Sequence, residues 1–474
     1  MRMILEVPEV HIRQKFTWAY LFNQNFQSFS NYPMQVLAGS IPSKLNGSLI
    51  RNTSATFVRK NHQKAGHIYD GDGGIVKIDV QNQKANLTYQ IIETDAYKKE
   101  QKANQYFLDS WGINKKGIFN KFVPNYQLKN TANASIFVPK DKSSILALGY
   151  FGLPYRLEFD TLKTIGQDDL DGVLSENETL GLKFRYDQQQ NIYYNFGYIQ
   201  NGMDTQINLY KFDVNGKVIE KKEHFLQSPR ILVQDFCLAG DYIVMMRSPQ
   251  YFNKTKWEQI NYDSDEGTQF VVFNKNTLEF ISDNQIDGFL VTEFMNGFQI
   301  KNNLVIDCLV GADFQYNLML NSMTKERFDV NGNNQKLHRF VVNPQSGIVI
   351  DKKKISIYPS NQTTIHQQAN GKPYKQGYMQ INDMRKEFDM GNSIAKIDHK
   401  QDTIIYQQKN SSTFLGEPVL SQNGEFIFAF GTNTETKLNE LHIMDSENLD
   451  QICVLGAEGQ IPYSTKGVWV DNQI

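Results

Sequence analysis

Ile207-Asn-Leu-Tyr-Lys-Phe-Asp213 alternates apolar and polar residues, Asn215-Gly216 follows, and Lys217-Val-Ile219 resumes an extended pattern. Alternation of period two marks a strand with two unlike faces, and Asn-Gly tolerates the positive φ that a tight hairpin turn needs. The same unit recurs at Thr268-Gln-Phe-Val-Val-Phe273 with the turn Asn274-Lys-Asn-Thr277, and at Leu337-His-Arg-Phe-Val-Val342 with Asn343-Pro-Gln-Ser-Gly347. Single strand-sized pieces lie between them, among them Ser144-Ile-Leu-Ala-Leu148, Tyr242-Ile-Val-Met-Met246 and Leu304-Val-Ile-Asp-Cys-Leu-Val310. Repeated hairpins without long helical periodicity predict an all-β chain, a propeller or a large sandwich. No Pro- or Gly-rich linker divides it, so one large domain of propeller type is expected.

Composition sets the outer limits. The 474 residues are 40% hydrophobic, 12% aromatic and 21% charged, enough apolar material for a sizeable core. A net charge of −2 gives no bulk attraction to nucleic acid or to an anionic membrane surface. The apolar runs, such as Phe426-Ile-Phe-Ala-Phe430, are strand-sized, so no transmembrane segment is expected. Three sparse cysteines, Cys237, Cys308 and Cys453, do not make a disulfide framework and fit an intracellular, reducing compartment, cytoplasmic or mitochondrial. The eight histidines are scattered without ligand spacing. His67, ahead of Asp70-Gly-Asp72-Gly-Gly74, reads as a residue that packs or bonds locally at a tight turn.

A series of motifs in order resembles the carotenoid cleavage oxygenase family, with which the retinal pigment epithelium isomerase is grouped. They are Gly39-Ser-Ile-Pro-Ser-Lys-Leu-Asn-Gly-Ser-Leu-Ile-Arg-Asn52, His67-Ile-Tyr-Asp-Gly-Asp-Gly-Gly74, Asn130-Thr-Ala-Asn133 and Gly152-Leu-Pro-Tyr-Arg-Leu157, then Asn370-Gly-Lys-Pro-Tyr374, Gly416-Glu-Pro-Val419 and Ile461-Pro-Tyr463. The resemblance implies a seven-bladed β-propeller over residues 41–474, with residues 1–40 packed against it. It also implies an axial Fe(II) held by four histidines, three of them oriented by glutamates, which cleaves an alkene of an apolar polyene with dioxygen.

At the positions where the resemblance places those histidines, this chain has other residues. Lys183 stands in Leu182-Lys-Phe-Arg-Tyr-Asp187, Gln234 in Gln234-Asp-Phe236, Glu293 in Glu293-Phe-Met-Asn-Gly-Phe-Gln299, and Lys466 in Ser464-Thr-Lys-Gly467. The glutamate positions hold Tyr150, Asn361 and Glu417. An ammonium has no lone pair to give a metal, so iron is not expected and no other cofactor is implied. Glu417 is expected to pair with Lys466, with Lys183 and Glu293 completing a roughly neutral cluster. On this reading the chain is a catalytically inactive pseudoenzyme, not an enzyme, acting as a structural or protein-interaction subunit of a larger assembly. Two alternatives remain: a binder of a retinoid, carotenoid or other apolar small molecule, and a divergent oxygenase or other catalyst with a non-histidine site.

Overall fold

The computed structural model describes residues 25–60, 62–110, 128–176, 178–201, 204–227, 235–253, 256–262, 264–311, 335–381, 391–399, 403–408, 413–459, 461 and 464–472. The hairpin around Asn215-Gly216 forms as expected. Asp204–Phe212 pairs antiparallel with Val218–Gln227, and Gly216 takes φ +82°. The Asp213 carboxylate accepts the N–H groups of Asn215 and Lys217, each at 2.9 Å, which closes the turn.

Seven such meanders make seven blades. The second to sixth run in chain order. Blade two is Ser135–Phe137, Ser144–Leu148, Tyr155–Glu158 and Thr164–Gln167. In blade three, Thr179–Leu180 and Arg185–Asp187 share the inner edge of Ile192–Asn201, with the hairpin above outside it. Blade four starts at Phe236–Ala239, blade five at Leu290–Ile300 and blade six at Ser360–Thr364. Blades one and seven close the ring with both ends of the chain. Ser464–Asp471 pairs with Gly47–Thr56 in blade one, and Gln35–Gly39 pairs with Gln451–Ala457 in blade seven. Phe29–Pro33 adds a further strand to blade one beside Lys84–Ile91. Two strands before residue 40 are thus part of the blades, while residues 1–24 lie outside the described residues.

Each neighbouring pair of blades shares an apolar cluster. Leu49, Ile78, Phe428 and Leu455 lie between blades seven and one, and Phe196, Leu209, Phe236 and Ile243 between blades three and four. Strands sandwiched this way bury both faces, which is why Asn303–Gly311 reads as a nearly unbroken apolar run. The aromatic residues fill these gaps: Phe196 meets Phe236 edge-on, with centroids 5.6 Å apart, and Phe270 meets Phe340 at 5.4 Å. Cys237, Cys308 and Cys453 are buried and free. No helix among the described residues is long and apolar enough to cross a membrane. Lys352-Lys-Lys354 belongs to an exposed outer strand, Val349–Lys354.

Candidate functional site

The inner strands carry charge onto the propeller axis. Lys183 sits just before the strand Arg185–Asp187, and its neighbour Arg185 fixes it there. The Arg185 guanidinium donates to both oxygens of Asp235, at 2.9 and 2.8 Å, and to the carbonyls of Phe236 and Phe294, each at 2.9 Å. Asp235 in turn accepts the N–H of Phe294 at 2.8 Å. One guanidinium nitrogen of Arg185 thus reaches both Asp235 oxygens and the Phe294 carbonyl, and this charge-assisted contact locks the inner edges of blades three, four and five together. On the other side of the axis, buried Arg51 donates to Ser464 Oγ and to the Glu417 carbonyl, both at 2.7 Å. That ties the strand bearing Lys466 to the loop bearing Glu417.

Four of the expected residues meet at the centre. Lys183 Nζ lies 2.8 Å from Glu293 Oε1 and 3.5 Å from Glu417 Oε1. Lys466 Nζ pairs with Glu293 Oε2 and lies 3.2 Å from Glu417 Oε1, so the expected Glu417–Lys466 contact is present. Thr363 completes the Glu293 side, donating its N–H at 2.6 Å and its hydroxyl at 3.0 Å to Oε1. The carboxylate side chains are 6% and 8% exposed and the lysine side chains 15% and 13%, so the quartet is largely buried. Burial by itself would raise the Glu293 carboxyl, but Lys183 and Lys466 outweigh it and hold it down at about 2. Burial likewise opposes charge on Lys466, and Glu293 and Glu417 reverse this, raising it above the ordinary lysine range. Glu293 and Lys466 are thereby held in their charged forms.

Gln234 lies outside the described residues, as does the Asn361 side chain. Tyr150 instead stacks on Tyr69, with ring centroids 4.5 Å apart, and its carbonyl accepts from the Tyr198 hydroxyl at 3.2 Å.

A cavity of about 520 Å³ opens from the quartet along the axis. Lys183, Glu417 and Lys466 line it, and Phe137, Phe184, Tyr193, Ile365, Val419 and Trp469 form apolar parts of a wall that also carries Lys140, Lys142, Arg185, Gln188 and His366. Phe137 and Phe184 stack face to face at 3.9 Å and Tyr193 stands edge-on to Phe137 at 5.1 Å. Among the described residues, Lys466 Nζ donates to two carboxylates, and an ammonium carries three N–H groups.

His67 behaves as a local residue. Its Nδ1 accepts the Tyr69 N–H at 3.1 Å. Burial lowers its pKa from 6.5 to about 3, so the ring is neutral. Because the folded value is the lower one, its contribution to stability is complete above pH 6.5 and is lost as pH falls toward 3. His67→Asn keeps an acceptor for the Tyr69 N–H. It is expected to flatten the fall in stability between about pH 6 and 4 by about 1.4 kcal/mol per pH unit, read from urea midpoints. An unchanged slope would contradict the buried neutral ring.

The seven-bladed propeller thus carries an ionisable quartet where its inner strands meet, with a cavity beside it. The family model described as "RPE65: Retinal pigment epithelial membrane protein" matches residues 22–471, and the chain belongs to that family, the carotenoid cleavage oxygenases. The apocarotenoid-15,15'-oxygenase of Synechocystis sp. is 24% identical over 93% of this chain and 94% of its own length. Resveratrol cleavage oxygenase 1 of Botryotinia fuckeliana is 29% identical over 44% of this chain and 37% of its own length. Among solved structures, an ACO/RPE65 chimera superposes with a TM-score of 0.86 at 21% identity, covering 96% of this chain and 98% of that one. Cobalt-substituted Synechocystis ACO gives 0.84 at 22% identity over the same shares.

These relatives correct the expectation that the chain is not an enzyme. They carry the names of oxygenases, not of assembly subunits, and one of them matches nearly end to end. Family membership therefore points to an enzyme. The iron of the family is a separate question, which the donor chemistry addresses. At the quartet two of four groups are ammonium ions without a lone pair, and both oxygens of Glu293 and Oε1 of Glu417 are already paired with them. Among the described residues no group of three or more His, Cys, Asp or Glu side chains is placed to hold a metal. The described residues at the axis do not fit Fe(II).

Proposed function

We propose that the chain is an enzyme for an apolar, conjugated small molecule that carries a carbonyl at one end, and that it isomerises a double bond without oxidation. The observation that carries this is the cavity, which Phe137, Phe184, Tyr193 and Trp469 line together with Lys183 and Lys466, in a family with an apocarotenoid oxygenase among this chain's relatives. The apolar body lies between Phe137, Phe184, Tyr193 and Trp469, and the carbonyl oxygen meets an N–H of Lys466. A fixed positive charge on that oxygen draws electron density along the conjugated chain. The double bonds lose order, one rotates, and density returns when the oxygen is released. No atom is gained or lost and no oxidant is required. Lys466 suits this role because Glu293 and Glu417 keep it charged, so it polarises without giving up its proton.

The test is a comparison of variants with a conjugated enal as substrate. Lys466→Gln keeps a neutral donor but loses the charge, and is expected to lower kcat by about 100-fold with little change in binding of the apolar body. Phe184→Ala is expected to raise KM instead, since it removes wall and not charge. Equal turnover in the wild type and Lys466→Gln, or no binding of any conjugated carbonyl, would overturn the proposal.

A further inference from the structure

We propose that Lys183 and Lys466 are built-in cations that keep a divalent metal off the propeller axis, and that the carboxylates around them form a hard-metal site once those two charges are removed. This rests on the quartet's geometry and not on the isomerisation reading. Glu293 and Glu417 come from different blades, yet both face the same two ammonium ions: Lys183 Nζ is 2.8 and 3.5 Å from them, and Lys466 Nζ contacts both, Glu417 at 3.2 Å. The Thr363 carbonyl, 3.3 Å from Lys183 Nζ, points at the same volume. The ammonium ions therefore stand where a cation shared by these oxygens would stand.

The charge count decides occupancy. With both lysines the quartet sums to zero, and an entering dication would meet two ammonium ions at short range. Without them two carboxylates face each other with a net charge of −2, which in a partly buried site calls for a counter-ion. The oxygens then available, two carboxylates and a carbonyl, are hard donors that suit Mn(II), Mg(II) or Ca(II) better than a soft-ligand metal. Aliphatic or amide side chains at 183 and 466 leave room for the ion and its water.

The experiment titrates Mn(II) into the purified full chain and into the double variant Lys183→Gln, Lys466→Gln, reading free Mn(II) by electron paramagnetic resonance and stability by thermal melting. The wild type is expected to take up none and to keep its Tm. The double variant is expected to bind one equivalent at least about 100-fold more tightly than the wild type and to gain Tm with added Mn(II). If it does not fold alone, it is expected to refold in Mn(II). One equivalent of Mn(II) or Fe(II) on the wild type, lost on Glu293→Gln, would overturn the inference. So would a double variant that folds but binds nothing, or one that Mn(II) fails to rescue. Loss of isomerase activity in Lys466→Gln bears on the reaction alone and leaves this result independent.

Discussion

Replacing Glu293 by alanine is expected to destabilise the fold by about 3–5 kcal/mol, because it strands two partly buried ammonium ions at once. Glu293 accepts from Lys183 Nζ, Lys466 Nζ, and the N–H and hydroxyl of Thr363, so it is the hub of the quartet. Glu417 contacts the same lysines at 3.5 and 3.2 Å and cannot neutralise both. A double variant that also carries Lys466→Met should lose less than the sum of the two single changes, since it removes one stranded charge with its partner. Urea unfolding of the four proteins gives the coupling directly; additive losses would show that the charges do not act together. The pH sign follows from the same contacts. With its folded pKa lowered from 4.5 to about 2, Glu293 contributes stability that is present above pH 4.5 and lost as pH falls toward 2.

A loss of similar size, about 3–5 kcal/mol, is expected for Lys129→Met at a second buried cluster away from the axis. Lys129 Nζ lies 2.8 Å from Asp72 Oδ1 and 2.9 Å from Glu100 Oε2, and Arg59 reaches the same two carboxylates at 2.9 and 3.2 Å. All four side chains are 0–1% exposed. The Tyr106 ring lies under both cations, 4.3 Å from the Arg59 guanidinium and 4.8 Å from Lys129 Nζ. The other Glu100 oxygen accepts the N–H groups of Phe107 and Leu108, at 3.0 and 2.9 Å. The cluster thus ties the helix Asp95–Ala103 and the segment after it to blade one. Lys129→Met leaves two carboxylates with a single cation. Its cost should shrink when Asp72→Asn is added, and a midpoint within experimental error of the wild type would mean the cluster is not closed as described.

The two clusters differ in how far they could be read from sequence. Hairpins such as the one at Asn215-Gly216 are local, since alternation and a turn residue act over a dozen positions, and they made the all-β propeller legible. Lys183, Glu293, Glu417 and Lys466 were legible only through the resemblance, because residues 110 and 173 apart meet through the ring closure and not through any local pattern. Even then the Glu417–Lys466 pair drew the attention, whereas Glu293 holds both lysines. The hub follows from Thr363 and the inner strand of blade six, which no spacing announces. The Arg185–Asp235 pair flanks two of the expected positions and went unread, although an Arg and an Asp at inner-strand starts were signals. Asp72 looked like a turn residue; its partners Glu100 and Lys129 come from a short helix and a loop that carry no periodicity of their own. That helix does carry cap residues at both ends: the Thr94 hydroxyl accepts the Tyr97 N–H at 3.0 Å, and Asn104 closes the C-terminus in the left-handed conformation.

The central claim is that the axial site works by fixed charge and not by iron and dioxygen. The direct measurement is product analysis by chromatography and mass spectrometry after incubating chelator-treated protein with a conjugated enal, with and without oxygen. The account predicts a shifted ratio of geometric isomers, unchanged mass and no dependence on oxygen or on added Fe(II). Two shorter carbonyl fragments that form only with oxygen and added Fe(II) would contradict it.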